Sequence, residues 1–258
     1  VEITHEEFYT RLAECDELPK TSQPSPDTFM KVFNEAVAAG DDVLGIFISS
    51  DLSGTYQSAC LAALDVEEET RKKLYMVDSR SASIGTALLI REAVKLRDAG
   101  VNVSDIAAAC TEMSKYIKLT AVVGSLKYLK MGGRLSGAAA FAGTMLHITP
   151  VVSIEDGKVV VIGKTRGKKA AEKLMHDKLI KDGLSLTRDF MFGHINCSES
   201  LETFINKSLT YISDVNGNVG VSSIGCSVGT HVGPGTYGIA YVEAAESGMN
   251  RESIVKTA

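Results

Sequence analysis

The sequence lacks several features that would assign a protein quickly to a functional class. In its 258 residues no apolar run reaches the roughly 18 residues of a membrane-spanning helix, and no secretory signal is recognisable. Positive charge is not in excess either: the net charge is −5, so nucleic acid is not expected as a partner. With 45% apolar and 23% charged residues, we expect a globular protein of the cytoplasm.

Cysteine is sparse and shows no pairing pattern. The five cysteines are widely scattered and none forms a C-x-x-C pair, which favours reduced thiols over a disulfide framework or a zinc site. There is also no H-E-x-x-H, no P-loop and no close His/Asp cluster, so neither a metal nor a cofactor is expected. A G-x-G-x-x-G match at 233–238 precedes a predicted strand, whereas the dinucleotide fingerprint follows a strand, so we reject it.

The first part of the chain alternates apolar strands with amphipathic helices. This alternation is typical of an α/β domain with a mostly parallel sheet and helices on both faces. The domain as given starts on a helix, so its sheet is expected to lack a first strand. Strands are predicted over 43–48 and 74–77, and helices over 6–15, 26–39, 55–64 and 83–99, with another capped by Ser104.

The pattern changes after residue 115. Asp156-Gly157 between two apolar runs is a strong signal for a two-residue β-hairpin, which requires antiparallel pairing. We therefore predict two domains, an α/β domain over 1–115 and an α+β domain with a mixed sheet over 116–258. Strands are expected over 119–123, 151–154, 158–162, 190–195, 219–225 and 236–242, and a helix over 167–181.

Three hydroxyl-rich turns, at 21–26, 49–55 and 78–83, each open a predicted helix. The second and third follow strands, and loops that leave parallel strands meet at one edge of the sheet. Free N–H groups at the helix starts and added hydroxyls would suit a small anion. Ser and Thr are also the commonest helix caps, so capping explains the same residues equally well. We expect the first two turns to contact a ligand and the third to cap its helix.

Three basic side chains could complete such a site. Arg134 follows two glycines in a loop that could aim its guanidinium, although a solvated loop arginine is an equal alternative. Arg166 lies at the start of a predicted helix, where positive charge opposes the helix dipole, so it is expected to serve something outside the helix. His231 lies in a glycine-rich segment, 229–235, which we predict to be a loop. A lone histidine is usually structural, but so much glycine argues against a packing role.

The same segments resemble the signature of the DegV family, whose members of known role are the fatty-acid-binding subunits of bacterial fatty acid kinase. The resemblance spans nearly the whole chain in the right order, apart from a first strand ending in Asp-Ser that the family normally has. The matching segments are T-S-Q-P-S (21–25), S-S-D-L-S-G-T-Y-Q-S-A (49–59), D-S (78–79), G-G-R (132–134) and G-T-H-V-G-P-G (229–235).

The resemblance implies a protein that is not itself catalytic. It would bind a long-chain fatty acid in a tunnel between the domains, present it to an ATP-dependent kinase subunit and carry the acyl phosphate, with transient membrane or acyltransferase contact. Arg166 would lie beside the site and engage the kinase, and the small residues of 136–143 would either flank the acyl chain or pack helices closely. The implied carboxylate site comprises Thr21, Ser22, Ser53 with the Gly54 amide, Thr55, Arg134 and His231.

Two other functions fit the residues. One is an enzyme that acts on a small anionic substrate with His231 as general base. The other is a sensor or scaffold whose ligand stabilises the contact between the domains. A long apolar tunnel would favour the lipid-binding function, and a compact polar cleft would favour the enzyme.

Overall fold

The computed structural model describes residues 3–137, 148–183, 185, 188–212 and 217–244. Its described strands form two sheets, a small parallel one and a larger mixed one. The helices are α1 His5–Glu14, α2 Pro26–Ala38, α3 Thr55–Thr70, α4 Ile84–Asp98, α5 Val103–Met113, α6 Lys127–Met131, α7 Lys168–Asp182, α8 Ser198–Ser208 and α9 Cys226–Val232. The strands are β1 Val43–Phe47, β2 Leu74–Asp78, β3 Ile117–Val122, β4 Thr149–Glu155, β5 Lys158–Thr165, β6 Phe190–His194, β7 Val219–Ser223 and β8 Tyr237–Val242.

The small sheet pairs β1 with β2 in parallel, as the βαβ pattern predicts. Helices α2 and α3 pack on each other beside it, and α4 and α5 contact its strands as well as each other. Local signals place these helices correctly: the Ser25 hydroxyl accepts the N–H of Thr28, and Pro26 occupies the first turn of α2. The α/β character of this half is confirmed.

The larger sheet has the order β5-β4-β3-β8-β6-β7. All pairs of neighbouring strands in this sheet are antiparallel except β6 and β7, which are parallel, so the predicted mixed sheet is confirmed. Asp156 and Gly157 have φ angles of 47° and 80°, the left-handed conformation that the tight turn between β4 and β5 demands. Helix α4 packs on β3, β6 and β8, and α5 packs on α4 and β2, so one continuous core joins the two sheets.

Helix α1 belongs structurally with the second half of the chain. Tyr9, which is almost fully buried, donates its hydroxyl to the carbonyl of Ile224 at 2.7 Å, and its ring lies on Gly229 of α9. Burial raises the pKa of Tyr9 to about 12, with the nearby Cys226 thiol as a smaller cause, so the hydroxyl remains a donor at neutral pH. Helix α1 therefore packs across the predicted boundary near residue 115.

Three local predictions were wrong. Helix α3 continues to Thr70, beyond the predicted end near 64, because the fully buried Val66 extends its packed face. Helix α5 is capped by Asn102, not by Ser104, since the Asn102 side chain accepts the N–H of Asp105. The predicted loop around His231 is largely helix α9.

Among the described residues, no helix has the length and apolar content to cross a bilayer, and no three His, Cys, Asp or Glu residues gather as a metal site would require.

Candidate functional site

The loops that leave β1 and β2 converge, as expected for parallel strands. The backbone N–H of Ser49 donates to the carbonyl of Ser81 at 2.8 Å, which joins the two loops directly. The Asp78 carboxylate at the end of β2 accepts the N–H of Ser50 at the end of β1. These bonds fix the two hydroxyl-rich turns side by side at one edge of the small sheet.

The converged loops also hold the turn of the β4–β5 hairpin. The buried Ser49 hydroxyl donates to the carbonyl of Gly157 at 2.8 Å. Arg80 pairs with Asp156 at 2.9 Å, but both side chains are exposed, so this pair adds little stability. The contact between Ser49 and Gly157, which we name the clasp, joins the loop after β1 to the larger sheet.

A cavity of about 420 Å³ lies between these loops, helix α9 and one face of the larger sheet. This volume is within the range of small-molecule sites in proteins. Its apolar lining includes Ile48, Leu52, Ile84, Leu119, Ala121, Leu129, Val152, Ile154, Val159, Ile195 and Ile224. Its polar lining comprises Thr21, Ser22, Gln23, Ser53, Thr55, Ser83, Arg134, Ser227, His231 and Thr236.

His231 lies in the last turn of α9 and points its ring into the cavity. Its Nε2 is 2.7 Å from the hydroxyl oxygen of Thr21, and its buried Nδ1 has no hydrogen-bond partner in the described part of the chain. The ring fits because Gly132 lacks a side chain: a Cβ there would stand 2.3 Å from Nδ1. Burial, and secondarily the Arg134 charge, lower the pKa of His231, so the ring is neutral at pH 7.

Arg134 is a half-buried residue of the cavity wall, so its interpretation as a solvated loop arginine is wrong. Gly133, with a φ of 69°, turns the chain after α6 and directs Arg134 inward. The guanidinium donates to the carbonyls of Leu52 at 3.2 Å and Gly132 at 2.7 Å. A guanidinium has five N–H groups, so donors remain for an anion in the cavity.

The second hydroxyl turn contributes Ser53 and Thr55, whose hydroxyl oxygens are 2.8 Å apart. Gly54, between them, is not among the described cavity-lining residues. The side chain of Gln23 covers it so closely that a Cβ on Gly54 would stand 2.3 Å from the Gln23 amide oxygen. Gly54 therefore provides room for Gln23, which lines the cavity and which the sequence pattern did not single out.

The third hydroxyl turn does not cap its helix. Ser83 precedes α4 with φ 48° and ψ −116°, and its side chain makes no capping bond. Instead it lines the cavity. Such a backbone conformation is costly for a residue with a side chain and is often found at functional sites. The prediction that this turn only caps its helix was wrong, because Ser83 adopts this conformation and not the extended one of a capping serine.

Arg166 is not brought to the cavity. It is exposed, immediately after β5, and is absent from the described lining. Its expected place beside the site and its contact with a kinase therefore stay predictions. Of the small-residue stretch 136–143, residues 138–143 lie outside the described residues.

The sequence analysis did not say which strand residues form the apolar walls of the cavity. A single apolar residue of a strand does not reveal which face of the sheet its side chain is on. Leu119 and Ala121 face the cavity, whereas Val122 belongs to the core on the opposite side of the sheet. The two-residue period within β3 is the signal that could have separated the faces.

The fold and site define an α/β protein with a cavity between the loops of its small sheet, helix α9 and one face of its larger sheet. The cavity is apolar along the strands and polar at the loops, where the described lining includes one cation. A family model described as an uncharacterised protein of the DegV family matches residues 1–244. A DegV domain-containing protein of Clostridium acetobutylicum is 36% identical over 93% of this chain and 84% of the relative. The chain belongs to the DegV family.

Solved structures show the same fold. A DegV family protein from Thermus thermophilus, described by its fatty acid binding, is 32% identical with a TM-score of 0.83 over 93% of this chain and 85% of its own. The fatty acid kinase B3 protein of Streptococcus pneumoniae, loaded with linoleic acid, has a TM-score of 0.83 over 94% and 85% of the two chains. At 22% identity, this second likeness concerns the fold alone.

Proposed function

We propose that this protein binds a long-chain fatty acid in the cavity, presents its carboxylate to a separate ATP-dependent kinase and carries the acyl phosphate that forms. The observation that carries the proposal is the division of one cavity into apolar walls and a polar end with Arg134 and His231. The Thermus relative described by its fatty acid binding supports the ligand class. The pneumococcal protein's place in a fatty acid kinase suggests the partner.

The energetics assign different tasks to the two ends. Each buried methylene contributes about 0.8 kcal/mol, so a sixteen-carbon tail offers about 12 kcal/mol before the costs of association. A hydrogen bond to the charged head contributes only about 1.5–3 kcal/mol. The tail therefore sets affinity and the polar end sets orientation, which is the property that a kinase acting on the carboxylate requires.

The close contact between Thr21 and His231 is the observation that favours an enzyme, because a hydroxyl beside a neutral imidazole resembles a nucleophile and its base. A catalytic base of this kind is normally oriented by a third group at its other ring nitrogen. The Nδ1 of His231 instead has no partner among the described residues. The binding role therefore has more support.

The first experiment identifies the ligand. Protein purified gently and extracted with organic solvent is expected to yield a C14–C18 fatty acid by mass spectrometry, the chain range that the family resemblance implies. After the lipid is removed, the protein should bind such an acid again. Protein that is consistently empty and does not bind added fatty acid would contradict the proposal, and turnover of a small anion without a partner protein would favour the enzyme.

The second experiment tests the kinase partner. Arg166 is exposed and is absent from the described cavity lining, so Arg166→Ala should leave fatty-acid binding unchanged and reduce acyl phosphate formation by a DegV-associated kinase with ATP about tenfold. The matched control is Arg97→Ala, which removes another exposed arginine, one that pairs with the adjacent Asp98. If Arg166→Ala abolishes lipid binding while kinase contact survives, the assigned role is wrong.

A further inference from the structure

One row of neighbours across the larger sheet carries very small side chains on the cavity face. Ala121 of β3 pairs with Val152 of β4 on one side and with Gly238 of β8 on the other. Gly238 in turn pairs with Gly193 of β6. Ala121, Val152 and Gly238 all line the cavity. We name Ala121, Gly238 and Gly193 the small row.

The small row crosses the middle of the cavity floor. Arg134 is adjacent to Leu135, which bridges Val159 of β5. Through the β5–β4 and β4–β3 pairings, Val159 lies in the sheet row of Leu119. Ile195, which also lines the cavity, follows β6 and lies on the other side of the small row. A tail that leaves the Arg134 guanidinium and extends towards Ile195 therefore crosses the small row.

The two glycines of the row cannot accept a side chain. A Cβ on Gly238 would stand 2.3 Å from the backbone carbonyl oxygen of Thr120. A Cβ on Gly193 would stand 2.7 Å from the side chain of Ile84, which already fills the space above it. Ala121 is thus the member of the row whose side chain can change in size without displacing backbone.

We propose that Ala121 determines how long an acyl chain the cavity accepts. The inference rests on the proposed function and deepens it by naming the residue that selects among fatty acids. Interiors are close-packed, so each carbon added at this position displaces about one carbon of the tail. Ala121→Val adds two carbons and Ala121→Leu adds three, so the preferred chain should shorten progressively, by about two to four carbons.

The experiment offers the delipidated protein an equimolar mixture of saturated C12 to C20 acids and measures the bound acids by extraction and mass spectrometry. Each methylene that no longer fits forfeits about 0.8 kcal/mol, a factor of about four, so the bound ratio of C18 to C14 should fall at least about tenfold in Ala121→Leu. Ala121→Val should give an intermediate ratio. The control is Ala38→Leu, the same change at an exposed position of α2, which should keep the wild-type ratio.

An unchanged C18 to C14 ratio in folded Ala121→Leu would overturn the inference. So would loss of all binding in both folded variants, since the position would then control occupancy and not length. If Ala121→Leu does not fold, the smaller change to Val decides in the same way. A wild-type protein that takes up no fatty acid would instead contradict the proposed function, so the two failures are distinguishable.

Discussion

At the scale of single residues, ligand binding should change the charge of the His231 side chain. His231 is neutral in the free protein because burial and, to a lesser extent, the Arg134 guanidinium lower its pKa. A carboxylate bound beside it would act in the opposite direction, since a nearby negative charge favours the protonated ring. The complex would then hold more protons than the free protein and ligand together.

This proton uptake fixes the direction in which ligand affinity depends on pH. Because binding raises the pKa of His231, affinity should increase as the pH falls through the interval between the pKa values of the complex and the free protein. Titration calorimetry near the ordinary histidine pKa of about 6.5, in two buffers of different ionisation enthalpy, should detect proton uptake on binding. His231→Asn keeps a polar side chain that does not titrate, and it should abolish the uptake. Equal uptake in this variant would assign the proton to another group, such as the ligand carboxylate.

At the scale of structural elements, the β4–β5 turn contacts the loop after β1 through one glycine. Gly157 needs its left-handed φ of 80° for the turn, and it needs a bare Cα because a Cβ would stand 2.6 Å from the Ser49 hydroxyl oxygen. The same position thus serves both the hairpin and the clasp. Gly40, at the end of α2, has a similar φ of 86°, but a Cβ added there would meet nothing within 4 Å. A substitution at Gly40 therefore tests the cost of the left-handed φ alone, without a steric clash.

The two glycines give a matched test. Gly40→Ala should cost about 1–2 kcal/mol, the usual penalty of a left-handed conformation for alanine. Gly157→Ala should cost about 1–2 kcal/mol more, because it also displaces the buried Ser49 hydroxyl from its hydrogen bond. Urea denaturation measures both. In a Ser49→Ala background the excess at Gly157 should largely vanish, and equal costs for the two glycines in the wild-type background would show that the clasp contributes nothing.

The elements themselves were largely predictable, because their signals are local. The hairpin followed from Asp156-Gly157, and the start of α2 from Ser25-Pro26. Helix α9 was missed because it has only seven residues, one of them glycine, which resembles loop composition. The site was predictable only in part: Thr21 and His231 are 210 positions apart, and no periodicity reports that they touch. Likewise, Gln23 and Ser83 line the cavity through loop conformations that composition does not encode.

At the scale of the whole molecule, the cavity lies where several separate elements of the chain meet. Its walls come from the β1 and β2 loops, the larger sheet and α9, so a ligand there contacts all three. An empty apolar cavity leaves these walls without partner atoms, whereas a bound tail supplies dispersion contacts to each of them. Ligand binding should therefore stabilise the molecule as a whole and not only the loops at the polar end.

Delipidated protein supplied with palmitate at about a hundred times its Kd should gain about 2.7 kcal/mol in the free energy of unfolding. For a chain of this size that corresponds to a rise in the thermal midpoint of about 5–11 °C. Acetate, which carries the same head without the tail, should give no comparable rise at the same concentration. Arg134→Ala should keep most of the rise at saturating palmitate, because the tail sets the affinity and the guanidinium sets the orientation. Differential scanning calorimetry distinguishes these outcomes, and an equal response to acetate and palmitate would place the binding energy in the head group, against the division of tasks proposed for the cavity.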